Sequence, residues 1–147
     1  MAYSSSLAPF FCMLLLACCV FQTPVSGAES VDKVIFRFRY KVHILNGFAN
    51  NAKPLIISCH SNDDDLGVHT LWNNQEFLFK FIVHFVKTTH FVCDFNWGSK
   101  SLPNISVFKN GEETHTCKGT GNCFWKAAED GIYFSNNDQN WEKKFDW

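Results

Sequence analysis

Residues 36–44 alternate without a break. Phe36, Phe38, Tyr40, Val42 and Ile44 fall on one side of an extended chain, and Arg37, Arg39, Lys41 and His43 on the other. A period of two marks a strand with one buried face, because successive side chains leave a pleated backbone in opposite directions. The pattern returns over 76–86, where Phe77, Phe79, Phe81, Val83 and Phe85 share a face, and over 90–97, where Phe91, Cys93, Phe95 and Trp97 do. Shorter extended runs fit 55–60, 68–72, 104–109, 122–126 and 131–135. Turn signals separate them: Asn46-Gly47, the run Asp63-Asp64-Asp65-Leu66-Gly67, Asn73-Asn74, residues 98–103 and Asn110-Gly111. No segment keeps helical spacing over three turns. The expectation is an all-β fold, an antiparallel β-sandwich of about seven or eight strands. Aromatic residues make up 16% of the chain, enough large side chains for one domain to build a core.

The seven cysteines fall into two groups. Cys12, Cys18 and Cys19 lie in an apolar leader that is too short for the roughly 20 residues a bilayer span needs. Small residues follow it, Thr23-Pro24-Val25-Ser26-Gly27-Ala28, as a signal peptidase requires. A mitochondrial leader would be rich in Arg, and none precedes Arg37. Residues 1–28 therefore read as a signal peptide, and 29–147 as one mature domain. The even set Cys59, Cys93, Cys117 and Cys123 would then enter an oxidising compartment, where disulfides persist. Four cysteines allow three pairings. Adjacency of the strand from His90 to the one leading toward Cys117 suggests Cys93 with Cys117, leaving Cys59 with Cys123. No C-x₂-C ligand pair is present, which favours disulfides over a zinc site. With a formal net charge of −1, nucleic acid is not expected as an electrostatic partner. No second hydrophobic span follows the leader, so membrane insertion is not expected.

Three segments carry more than periodicity. They are Cys59-His60-Ser61-Asn62-Asp63-Asp64-Asp65-Leu66-Gly67; Phe79-Lys80-Phe81 followed by Thr88-Thr89-His90-Phe91-Val92-Cys93; and Cys117, then Cys123-Phe124-Trp125, closing with Asp130-Gly131-Ile132-Tyr133-Phe134. In order and spacing they resemble the plant self-incompatibility proteins, the S-protein homologues, over about residues 42–141. The resemblance implies a small secreted β-sandwich with four cysteines and no catalytic residues. Its founding members are pistil-secreted ligands that trigger rejection of self pollen through a membrane receptor. The chain departs from the family pattern at Lys87, where a glycine usually precedes the Thr-Thr pair, and at His84, where an asparagine usually stands.

Several features have competing readings. Asp63, Asp64 and Asp65 offer hard oxygen donors to Ca²⁺, but they lack the alternating spacing of a calcium loop. Capping of backbone N–H groups in a tight loop ending at Gly67 is the better reading. An exposed loop of this kind, with Lys87 nearby, is also a candidate receptor contact. The row Arg37, Arg39, Lys41 and His43 reads as the solvated face of an edge strand, or as a surface that steers an anionic partner. His69-Thr70-Leu71-Trp72 and His115-Thr116-Cys117 resemble fragments of the H-G-L-W-P and H-G-T-C motifs of T2-type ribonucleases. The glycines and the proline are missing, and geometry rather than a tripeptide makes an acid–base pair. Asn104-Ile105-Ser106 is an N-glycosylation sequon.

These readings converge on a secreted, monomeric, non-catalytic ligand without cofactor or metal, binding a cell-surface receptor through loops 61–67, 86–89 and 98–103. The alternative is a carbohydrate- or cell-wall-binding module that uses exposed Trp72, Trp97 or Trp147.

Overall fold

The structure, a computed structural model, describes residues 37–84, 87–112 and 117–147. The expected signal peptide, Phe36, Phe85, Val86 and His115 lie outside the described residues. Nine strands are described: β1 Arg37–Asn46, β2 Leu55–His60, β3 Asp65–Leu71, β4 Glu76–His84, β5 His90–Trp97, β6 Lys100–Lys109, β7 Asn122–Ala128, β8 Gly131–Ser135 and β9 Glu142–Phe145. They form a five-stranded sheet, β4-β1-β7-β8-β9, and a four-stranded sheet, β3-β2-β5-β6. This is the expected all-β sandwich, with two differences. The ninth strand, β9, was not anticipated. In addition β1 and β7 pair in parallel, Lys41 opposite Asn122 through Asn46 opposite Ala127, whereas every other pairing is antiparallel.

The alternation read from the sequence fixes which face is buried. Tyr40, Val42 and Ile44 of β1 point inward and are at most 3% exposed. They meet the inner face of the second sheet, where Ile57, Cys59, Phe91, Cys93, Phe95 and Val107 are buried. Phenylalanines bridge the two layers: the Phe81 ring lies 4.7 Å from Phe91 and 4.6 Å from Phe108, and Tyr40 lies 4.9 Å from Phe108. Trp125 of β7 adds a polar link, its Nε1–H donating to the Val107 carbonyl of β6 at 2.9 Å. A buried indole N–H left unpaired would cost about 1–3 kcal/mol, so this bond also fixes how the ring sits.

The cysteine pairing differs from the expectation. Cys59 is bonded to Cys93, and Cys117 to Cys123. The physical reason is register. β2 runs antiparallel to β5 with Cys59 directly opposite Cys93, and their Cα atoms are 4.1 Å apart, close to the spacing of a non-hydrogen-bonded cross-strand pair. The expected adjacency of β5 to the strand leading toward Cys117 is real, since β6 pairs with β5. Yet β5 has a second neighbour, and that one presents the cysteine. Cys117–Cys123 closes a short turn in which the Gly121 N–H donates to the Cys117 carbonyl at 2.6 Å.

The basic row also sits differently from the edge-strand reading. Its side chains are indeed outward, with Arg37, Arg39 and Lys41 exposed, but β1 lies between β4 and β7 in the strand order.

Candidate functional site

Loops gather at both ends of the sandwich, and the hydrogen bonds say which belong together. At one end, residues 61–64 follow β2, 87–89 precede β5, and 110–112 follow β6. At the other end, the turn after Trp97 meets residues 47–54 and 129–130. There Trp97 Nε1–H donates to the Lys53 carbonyl at 3.3 Å, and Lys100 Nζ to the Glu129 carbonyl at 2.7 Å. The three loops expected to act together are thus divided: 61–67 and 87–89 share one end, and 98–103 belongs to the opposite one. Most of that last segment is strand, since β6 begins at Lys100.

The shared end is built residue by residue. Ser61 Oγ accepts the N–H groups of Asp63 and Asp64 at 3.3 and 3.0 Å, and the Ser61 N–H donates to the Asp64 carbonyl at 2.7 Å. Asp65 Oδ1 accepts the Gly67 N–H at 2.9 Å, where Gly67 has a φ of 76°. The capping read from the sequence is therefore shared between Ser61 and Asp65. Asp63 instead reaches across the end of the sheet, its Oδ2 lying 2.6 Å from Lys87 Nζ. The hydrogen bond to Asp63 and its charge, helped by the charge of Asp64, hold the Lys87 ammonium above the ordinary lysine value. Asn110 fixes the second loop from behind. Its N–H donates to the Thr89 carbonyl and its Nδ2 to the Lys87 carbonyl, both at 3.0 Å.

Between these loops lies a cleft of about 190 Å³ whose walls include Asn62, Asp64, His84, Lys87, Thr88 and His90. Phe81, Ile82 and Phe91 add apolar lining. Carboxylates and hydroxyls beside apolar side chains can hold both a polar and an apolar group of a partner. Of the contact residues expected from the sequence, Asp63, Asp64 and Lys87 line this cleft and Asp65 does not, while His84, which also lines it, and Asn110, which braces it, were not among them. Asn110-Gly111 read only as a turn, because nothing local ties it to Lys87, 23 residues away.

The remaining candidates take separate places. His69 is held by a bond between Nε2 and the Leu66 carbonyl at 2.8 Å, with its ring stacked 3.6 Å from Phe77. Both contacts are structural. Among the described residues, no three His, Cys, Asp or Glu side chains converge as a cation site would need. Trp97 stacks on Phe48 at 4.0 Å, and Trp147 lies 6.1 Å from the same ring with its Nε1–H donating to the Ala128 carbonyl. Two of the three tryptophans offered for a carbohydrate platform thus pack against the core, while Trp72 is 44% exposed. Asn104 is exposed on the outermost strand of its sheet, with a φ of 56° and its N–H bonded to Asp94 Oδ1 at 2.7 Å. No described helix is long and apolar enough to cross a membrane.

Comparison with known proteins finds relatives by sequence. The profile of the plant self-incompatibility protein S1 family matches residues 41–147. S-protein homolog 29 of Arabidopsis thaliana is 33% identical over 77% of this chain and 86% of its own length. Self-incompatibility protein S1 of Papaver rhoeas is 30% identical over 69% of this chain and 73% of its own. S-protein homolog 24 of Arabidopsis thaliana reaches 37% identity, but the match spans only 57% of that protein. No solved structure matches the chain.

Proposed function

This chain belongs to the plant self-incompatibility protein S1 family, and from that premise we propose that it is a secreted, non-catalytic ligand for a cell-surface receptor. Residues 1–28 would direct export and be removed, leaving a monomeric domain of residues 29–147. The observation that carries the reading is the meeting of two loops at one end of the sandwich, tied by Asp63 and Lys87. Rigid strands hold that end in place, so receptor contact costs little ordering entropy. Signalling then follows from tighter binding to one receptor conformation than to another. Rejection of self pollen is the response the family name carries, and it is one setting for such a ligand. A glycan on Asn104 would project from the second sheet. The capped, stacked environment of His69 speaks for structure rather than for a ribonuclease.

The test is saturable binding of the labelled protein to plant cell membranes, pollen among them. Reversing charge at Asp64→Lys and Lys87→Glu should weaken binding by about tenfold or more, roughly 1.4 kcal/mol, without changing the circular dichroism. Retention of full affinity by both variants overturns the assignment of this end as the contact surface. Binding to wall polysaccharide but to no membrane overturns the ligand reading.

A further inference from the structure

The outer face of the five-stranded sheet carries a concentration of positive charge that the fold itself does not use. Register places Lys41 directly opposite Lys80, Arg39 opposite Ile82 and Arg37 opposite His84. Like charges facing each other across two strands destabilise a sheet, and a net charge of −1 for the whole chain does not require them there. Among the described residues, none of Arg37, Arg39, Lys41 and Lys80 has a carboxylate within ion-pair distance. Glu76 is the one acid on the outward rows of β1, β4 and β7, and it is bonded to His43 at the far end. Protection of a sheet edge does not explain the row, because β1 lies inside the sheet.

We propose that this face binds the carboxylates of an acidic polysaccharide. Three observations select that partner. Outward residues two apart on β1 recur every 6–7 Å or so, so that Arg37 to Lys41 spans about 13 Å, a straight track for a linear polyanion. An open groove of about 490 Å³ overlaps it at Arg39 and Lys41, with Lys80, Ile82 and Asn122 also lining it. Ile82 is 40% exposed and gives the C–H face of a sugar ring an apolar contact. An acidic peptide fits less well: peptides gain affinity by adding main-chain bonds at a sheet edge, and on a sheet face those groups stay unpaired. A lipid surface is disfavoured because the exposed apolar residues of β4, Leu78 and Ile82, alternate with Lys80 and His84 instead of forming a patch that could insert. The proposal differs from the receptor reading in resting on the basic row of a sheet face, although Ile82 borders both the groove and the loop cleft.

The test is titration of the purified protein with a homogeneous oligogalacturonate, its neutral methyl ester, polyglutamate and phosphatidylserine vesicles. Binding to the oligogalacturonate and not to its ester is expected, weakening steeply as salt shortens the Debye length from about 10 Å at 0.1 M to about 3 Å at 1 M. The combined variant Arg39→Glu, Lys41→Glu, Lys80→Glu should lose at least about tenfold in affinity, and Lys53→Gln, at the other end of the molecule, should lose nothing. Should the charge-reversed protein fail to fold, the milder Arg37→Gln, Arg39→Gln, Lys41→Gln set serves instead, with near-ultraviolet circular dichroism as the fold check. Unchanged affinity in the variants, equal binding to polyglutamate or vesicles, or no binding to the oligogalacturonate each overturns the proposal.

Discussion

Gly131 shows how much one residue decides. It sits at a φ of 152°, and a Cβ built on it would lie 2.1 Å from the Phe145 carbonyl oxygen. No side chain fits there, because the obstacle is backbone and cannot swing aside. Gly131→Ala should therefore cost about 1–3 kcal/mol by pushing β9 away or straining the hairpin. Urea denaturation reads this directly: a lower midpoint at unchanged slope is expected, and a change under about 0.5 kcal/mol would refute the steric account. The other residues of the Asp130–Phe134 segment are structural in the same sense. Ile132 is fully buried, and Asp130 Oδ2 accepts the Tyr133 hydroxyl at 2.7 Å. This motif thus holds the fold. Asp63, from another of the recognisable segments, instead meets Lys87 at the surface, where the proposed recognition lies.

Among the elements, β9 is the one most open to chemical control. All four of its residues are exposed, so little apolar burial holds it against β8. Lys143 bonds Asp130 and Asp146, both at 2.9 Å. The bond from Lys143, then the bond from the Tyr133 hydroxyl, hold the Asp130 carboxyl below the ordinary aspartate value. The sign follows: the folded-state value lies under the unfolded one, so the clip is fully present above the unfolded value. It is lost as pH falls through the lowered folded one. Hydrogen-exchange protection of β9 amides, measured relative to the intrinsic rate at each pH, should fall as pH drops below the ordinary aspartate range, while β2 and β5 stay protected. Asp130→Asn should remove that step, and a β9 that exchanges alike across the range would show that the carboxylate does not hold it. This strand also marks where the sequence falls silent. β1, β4 and β5 were legible because inward and outward side chains alternate between clear turns. Glu142-Lys143-Lys144-Phe145 has no such alternation, since neither of its faces is buried. In the site, the loops were legible from their polar residues, but not their meeting, which depends on strand order.

At the scale of the whole molecule, two disulfides reinforce a domain of modest size. The chain-entropy relation assigns about 4 kcal/mol to Cys59–Cys93, whose partners are 34 residues apart, and about 2 kcal/mol to Cys117–Cys123, 6 apart. Together these approach the entire stability of a typical domain, about 5–15 kcal/mol. Replacing Cys59 and Cys93 together with alanine should lower the unfolding free energy by more than replacing Cys117 and Cys123, as chemical denaturation would measure. The reverse order would show that native packing, and not loop closure, sets the contribution. Which cysteines pair was hidden from the sequence for a related reason. Periodicity locates a strand and its inward face, but β5 has two neighbours, and only the finished sheet says which one faces Cys93.

The arrangement of the sheets also sets an order in time. The four-stranded sheet is drawn from one stretch of chain, residues 55–109, interrupted only by β4, whereas β1 waits for β7, with Lys41 opposite Asn122 across 81 positions. A ribosome exposes residues in sequence, so Cys93 would meet Cys59 before Cys117 is free to compete for it. Synthesis from one end would thereby favour the native bond among three possible pairings, and the long parallel closure of β1 onto β7 would come last. The direction of translation is, in that sense, part of the folding information.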